Sequence, residues 1–257
     1  MAWFKAGPAG SRTNRVALTV EGDVLEAGQV KINKVTRPGL RKRSGLTGAE
    51  LWSVPLDIRE GSVADLAVLP DGRVWVAMNV RKPGDQSPQP RIALFDAGGT
   101  FTGVEALGDL GQGVRGIAAD AEGGCFAVDF ASAGKDLDVA CWRVDGKGVQ
   151  TLGDTWDFVP KDEEEHKFSE FATDVVIKNN VAWVIGASTG LHEKAGSKTR
   201  GILAPMDLHT GEVKDPVLVA GPKGTFTQNV FLGAGPHPDG VLVTGYGCDD
   251  ACTEYRI

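Results

Sequence analysis

No apolar run in this chain approaches the ~20 residues that a membrane-spanning helix needs, so insertion by a helix is excluded. Methionine is scarce, 3 in 257 residues, and no long segment carries apolar residues at helical spacing, which argues against a helical bundle. Basic residues do not dominate. A formal charge of −7 leaves no broad cationic surface to neutralise a phosphate backbone, so no nucleic-acid partner is expected. The one basic cluster, Arg37, Arg41, Lys42 and Arg43, is expected on the solvated face of a strand. Residues 1–8 lack a charged start followed by a sustained apolar core and do not read as a secretory leader.

Reactive side chains are equally thin. The 4 cysteines show no metal-site spacing. Cys125 and Cys141 fall in strand-like apolar runs and are expected in the interior. Cys248 and Cys252 sit close together in a polar loop and leave three states open: a local disulfide, two thiols or a metal pair. The histidines, His166, His192, His209 and His237, are scattered, with no His-x-x-x-His pair. There is no Gly-x-Ser-x-Gly elbow and no phosphate-cradling glycine loop, so covalent catalysis and nucleotide hydrolysis lack support.

What the chain has instead is 35 glycines, 13 prolines and a recurring unit: a short apolar run, a tight turn and a second apolar run. Copies occupy residues 16–25, 66–77, 117–128, 175–184 and 234–243. Their turns, at Glu21, Asp71, Glu122, Asn179 and Asp239, recur every ~50–60 residues, the period of a propeller blade. The expected fold is all-β: a five-bladed β-propeller of four-stranded antiparallel blades, forming one domain over residues 1–257. Small residues (Ala17, Ala67, Ala118, Val175, Gly235) mark the strand nearest the axis. Bulky ones (Leu25, Trp75, Phe126, Trp183, Val243) mark the second strand, where they fill the space between blades. The last copy stops after its third strand, 253–257, and the N-terminal residues 2–10 are expected to supply its outer strand and close the ring. A larger propeller cut short is the alternative.

The strand–Asp-Gly–strand core at Leu69-Pro70-Asp71-Gly72-Arg73-Val74-Trp75-Val76 and the outer Glu50-Leu51-Trp52-Ser53 resemble the β-propeller repeats of bacterial, especially myxobacterial, cell-surface and secreted proteins. That resemblance covers almost the whole chain and implies a fold and an extracytoplasmic setting in the envelope or outside the cell. A weaker likeness is to NHL-repeat and gluconolactonase-type propellers, which also place Asp-Gly turns before a Trp-Val or Tyr-Val strand. It implies a divalent metal at the channel mouth, held by a Glu and by Asn or Asp from different blades. This chain departs from the pattern at the head of its first inner strand, where Asn14 and Arg15 stand.

In a propeller the turns between strands one and two fall on one face, and here they are short. The loops of the opposite face, at 80–90, 159–170, 188–199, 220–228 and 245–252, are longer, polar and different in each copy. Variable loops on a constant scaffold are where binding is expected. The inner-strand heads place Arg15, Asp65, Arg115, Asp174 and Asn229 around the mouth on that face, either as a polar ring for a small ligand or cation or as the lining of a hydrated channel. Oxygens of Asp65, Asp174 and Asn229 suit Ca²⁺ or Mg²⁺, while Arg15 and Arg115 oppose a cation. The acidic run 161–167 is expected to be solvated, and Phe168, Phe171 and Phe226 are candidates to dock a partner or a sugar ring. The leading expectation is a monomeric, non-catalytic binding module without a cofactor, using its loop face for a protein or glycan partner. The alternative is a metal-dependent, lactonase-like hydrolase or lyase at the channel mouth. A purely structural repeat domain is the third reading.

Overall fold

Alternating apolar residues between glycine and Asx turns can satisfy their backbone only in antiparallel ladders, and this is how the chain folds. In the computed structural model, residues 12–32, 34–58, 60–81, 84, 88–107, 113–133, 136–156, 169–192, 197–219, 228–248 and 255–256 are described. The first sheet runs β1 (Arg12–Leu18), β2 (Val24–Ile32), β3 (Val35–Arg43), β4 (Glu50–Pro55). The second runs β5 (Gly61–Val68), β6 (Val74–Val80), β7 (Gln89–Phe95), β8 (Phe101–Leu107). The third runs β9 (Gly116–Ala119), β10 (Cys125–Ala133), β11 (Asp136–Val144), β12 (Gln150–Trp156). Beyond them lie β13 (Ser169–Lys178), β14 (Val181–His192), β15 (Ser197–Asp207), β16 (Val217–Val219), β17 (Gln228–His237), β18 (Gly240–Cys248) and β19 (Tyr255–Arg256). The protein is an all-β propeller of antiparallel blades, with the inner strands β1, β5, β9, β13 and β17 packed in succession.

The expectation of five separate blades is corrected. Among the described residues there are four sheets, three of them four-stranded, and β13 through β19 form one seven-stranded sheet. The reason is a mismatch in strand length. β16 is 3 residues long and covers only Gly201–Leu203 of the 11-residue β15. The edge of β15 before Gly201 is left uncovered by β16, and Thr199 pairs there in parallel with Gln228 at the start of β17. The predicted pairing of residues 2–10 with the last sheet lies outside the described residues.

Turn length corrects two of the column assignments. The first three hairpins close with a five-residue connection in which a glycine takes a left-handed φ, such as Gly72 at 85°, and Leu69 N–H bonds the Arg73 carbonyl at 2.8 Å. The fourth closes in two residues, Asn179 and Asn180, at φ of 51° and 61°. The fifth closes through Pro238 and Asp239. These shorter turns place Val176, not Val175, opposite Trp183, and Gly235 opposite Leu242, not Val243. Lys178 ties the two short hairpins together, donating from Nζ to the carbonyls of His237, Pro238 (2.6 Å) and Gly240 (3.0 Å).

Among the described residues, three apolar layers lie between successive sheets. Leu25, Leu40, Val74, Val76 and Met78 fill the first. Trp75, Ile92, Leu94, Ile117 and Trp142 fill the second, and Phe126, Val128, Val184 and Ile202 the third. Cys125 and Cys141 are buried in these layers as expected, and burial pushes both thiols well above the ordinary range. Cys248 is buried at the end of β18, while Cys252 lies outside the described residues.

The basic cluster is a second correction. Only Arg37 stands exposed; Arg41 and Arg43 are 1% and 5% exposed. Pairing of β2 with β3 sets Arg41 opposite Glu26, and pairing of β3 with β4 sets Arg43 opposite Glu50, so alternate residues of three strands share one face. Arg43 Nε lies 2.9 Å from Glu26 Oε1, while Arg41 Nε lies 3.1 Å from Glu50 Oε2 and Arg41 Nη1 3.7 Å from Glu26 Oε2. Lys42, on the opposite face, pairs with Asp23 at 3.4 Å.

Candidate functional site

Near its head, each of four inner strands carries one extra residue relative to its partner. The register breaks between Thr13 and Arg15, Val63 and Asp65, Ala172 and Asp174, and Phe231 and Gly233. A β-bulge reverses the side-chain alternation locally. The bulged residues Asn14, Ala64, Thr173 and Leu232 accordingly line one cavity of ≈ 720 Å³ at the channel mouth, joined by Arg115, which stands just before β9. Arg12, Thr13, Arg15, Gln29, Val63, Asn79 and Val114 complete the lining.

Three of the residues that follow a bulge, Arg15, Asp65 and Asp174, reach a neighbouring blade. Asp65 Oδ2 accepts the Ile117 N–H of β9 at 3.0 Å, and its Oδ1 lies 3.2 Å from Arg15 Nε of β1. Asp174 Oδ2 accepts the Ala234 N–H of β17 at 2.9 Å, and its Oδ1 accepts its neighbour Val175 N–H at 2.8 Å. The two aspartates therefore fasten inner strands to one another. Gly116 shows how close the packing is: a Cβ there would sit 2.7 Å from Asp174 Cα.

Burial raises the Asp65 carboxyl to about 6, with the Asp174 charge adding to the shift; the Ile117 amide and Arg15 oppose it. Asp174 is raised by burial as well. Because the folded value for Asp65 exceeds its ordinary 3.8, the folded state holds the proton longer. Its contribution is fully present below pH ~4 and is lost as pH rises through ~6. Relative to Asp65→Asn, the native protein is expected to lose up to about 3 kcal/mol of stability between pH 4 and pH 7. Urea unfolding of both proteins across that range checks this; parallel curves would contradict it.

Two of the mouth arginines are anchored from behind. Arg115 Nε lies 3.2 Å from Asp129 Oδ1, a side chain only 3% exposed, and its guanidinium stacks over Phe130 at 4.7 Å. Arg15 is held by Asp65 and donates from Nη1 to the Asn14 carbonyl at 3.1 Å. Asn79 pins the segment before β9, donating to the Val114 carbonyl at 3.0 Å and accepting its N–H at 2.7 Å.

The sequence-predicted ring is thus assembled only in part. Arg15 and Arg115 line the mouth; Asp65 and Asp174 sit beside it, between blades; Asn229 does not line it and donates to the Thr199 carbonyl at 3.5 Å. The oxygen set Asp65, Asp174 and Asn229 does not fit a divalent cation. Both carboxylates already accept backbone N–H groups, and three arginines line the space beside them. Among the described residues no group of three His, Cys, Asp or Glu is placed to hold a metal. Thr173, Gln29 and Asn79 escaped sequence reasoning, which placed Asn14 at a strand head without assigning it to the ring. A polar residue one place before the expected strand head was the available signal, at Asn14 and Thr173. Of the aromatic candidates, Phe171 is partly buried in β13, whereas Phe168, Phe226 and the acidic run 161–167 lie outside the described residues.

No protein-family model and no curated protein sequence matches the chain. Solved structures do. A putative oxidoreductase (glucose dehydrogenase) of Thermus thermophilus superposes with a TM-score of 0.53 at 15% identity, over 95% of this chain and 79% of that one. A gluconolactonase of Xanthomonas campestris gives 0.49 at 12% identity, over 91% and 69%. The calcium-binding protein regucalcin of Agrobacterium tumefaciens gives 0.47 at 18% identity, over 89% and 66%. The last two are of the kind named by the weaker sequence resemblance. At these identities the likeness is one of fold.

Proposed function

We propose that this chain is a ligand-binding propeller whose channel mouth takes a small polar ligand or the end of a glycan, as a non-catalytic module. The observation that carries this is the mouth cavity of ≈ 720 Å³, into which the bulged residues of successive inner strands converge. Its size is that of a small-molecule site, and its walls come from rigid strands. The test is ligand-observed NMR with a panel of mono- and oligosaccharides, repeated on Leu232→Trp. Leu232 lines the cavity and is 55% exposed, so the larger ring fills the mouth without disturbing a packed layer. At least one saccharide is expected to bind, with affinity falling more than ~10-fold in the variant. Binding unaffected by Leu232→Trp would move the site to the loops, and no binding at all would discard the reading.

A lactonase-like hydrolase is a second reading, favoured by Asp65. Its carboxyl, raised to about 6, exchanges a proton near neutral pH and touches Arg15 at the cavity wall. Turnover of lactone or ester substrates that is abolished in Asp65→Asn, with folding intact, would establish this reading in place of the first.

A further inference from the structure

We infer that the ligand of the mouth carries an oxyanion, a carboxylate or phosphate, on a hydroxylated body; this rests on the mouth being the binding site. Among the described residues the lining contains Arg12, Arg15 and Arg115 and no Asp or Glu; Asp65 and Asp129, behind the lining, each pair with one arginine, while Arg12 makes no ion pair with a described residue. With only cationic charges on the described concave wall and the carboxylates behind it, field focusing favours anion capture at the wall.

The arrangement of the guanidiniums adds direction to charge. Asp65 and Asp129 contact Arg15 and Arg115 at Nε; Asp129 is buried and Asp65 partly buried, with side chains 3% and 14% exposed. The arginine side chains themselves remain 46% and 47% exposed. Among the described residues, none accepts a hydrogen bond from the Nη nitrogens of Arg115, which are thus available to the cavity. A guanidinium held at Nε, and in Arg115 stacked on Phe130, is pre-ordered, so an oxyanion pairs with its outer edge at little entropic cost. Asn14, Gln29, Thr13 and Thr173 supply amide and hydroxyl partners around the same space, which suits the hydroxyls of the remaining body.

Calorimetric titration with D-glucuronate, glucose 6-phosphate, inorganic phosphate, D-glucose and CaCl₂ decides the matter. The first two are expected to bind at least ~10-fold more tightly than glucose, because an ionic hydrogen bond is worth about 1.5–3 kcal/mol. Their affinities should fall in high salt and drop ~10-fold or more in Arg115→Met. Arg12→Gln, on an exposed side chain, should weaken them too and serves if Arg115→Met does not fold. Inorganic phosphate separates the two sources: a phosphate seat binds inorganic phosphate, which displaces glucose 6-phosphate, whereas a carboxylate seat binds glucuronate more tightly than glucose 6-phosphate and inorganic phosphate does not displace it. Glucose binding as tightly as the acids, or Ca²⁺ binding that Leu232→Trp blocks, would overturn the oxyanion while leaving the mouth as the site. Failure of every probe would remove both.

Discussion

Trp75→Ala is expected to lower the unfolding free energy by about 4 kcal/mol, the cost of emptying one of the two tryptophan sites of an apolar layer. Trp75 is 0% exposed, sits on β6 between the second and third sheets, and donates from Nε1 to the Gly123 carbonyl at 3.1 Å. Gly123 belongs to the next hairpin, so the indole both fills the layer and fixes the angle between blades. A domain holds only about 5–15 kcal/mol in total, so this loss brings it close to unfolding at physiological temperature. Trp75→Phe separates the two roles, since it keeps most of the volume and leaves the Gly123 carbonyl unpaired, at about 1–2 kcal/mol. Leu242 is the control. It faces Gly235 as Trp75 faces Ala67, yet it is 59% exposed, and Leu242→Ala should cost no more than about 0.5 kcal/mol. Guanidinium unfolding measures all three, and equal losses for Trp75→Ala and Leu242→Ala would refute the layer assignment.

Glu26→Gln is expected to cost about 3–5 kcal/mol, because it strips the shared counter-charge from two buried arginines. Arg41 and Arg43 both pair with Glu26, and their side chains are 2% and 6% exposed. Removal leaves Arg41 with Glu50, 43% exposed, and Arg43 with its bond to the Gly48 carbonyl at 3.3 Å. If the pairs lay on a solvated face, the loss would be at most about 1 kcal/mol and would shrink in high salt. Unfolding in low and in molar salt distinguishes the two, and a small, salt-sensitive loss would contradict the buried arrangement.

The inner pairing of the first three sheets was legible residue by residue. Ala17, Ala67 and Ala118 do face Leu25, Trp75 and Phe126, since equal five-residue turns keep the copies in step. In the last two copies the turns have two residues, and column alignment slipped by one at Val175 and Val243. The mouth slipped for a related reason. Period-two reading carries Asp65 and Asp174 to the channel, but a bulge just before each turns them into blade-to-blade fasteners and delivers Asn14, Ala64, Thr173 and Leu232 instead. Arg115 was found because it precedes the β9 ladder, where no later alternation intervenes.

Local pattern in the residues settles strands and turns, because side-chain alternation and left-handed glycine positions act within a few residues of one another. Whether a charge is solvated, where an extra residue reverses a strand's faces, and which strand edges meet were decided only by the tertiary fold. Arg41 carries the same charge in water or in a layer, and only Glu26 and Glu50 across the ladder make its burial tolerable. Thr199 meets Gln228 only because a three-residue β16 leaves that edge uncovered, a matter of length on distant strands that no single copy contains.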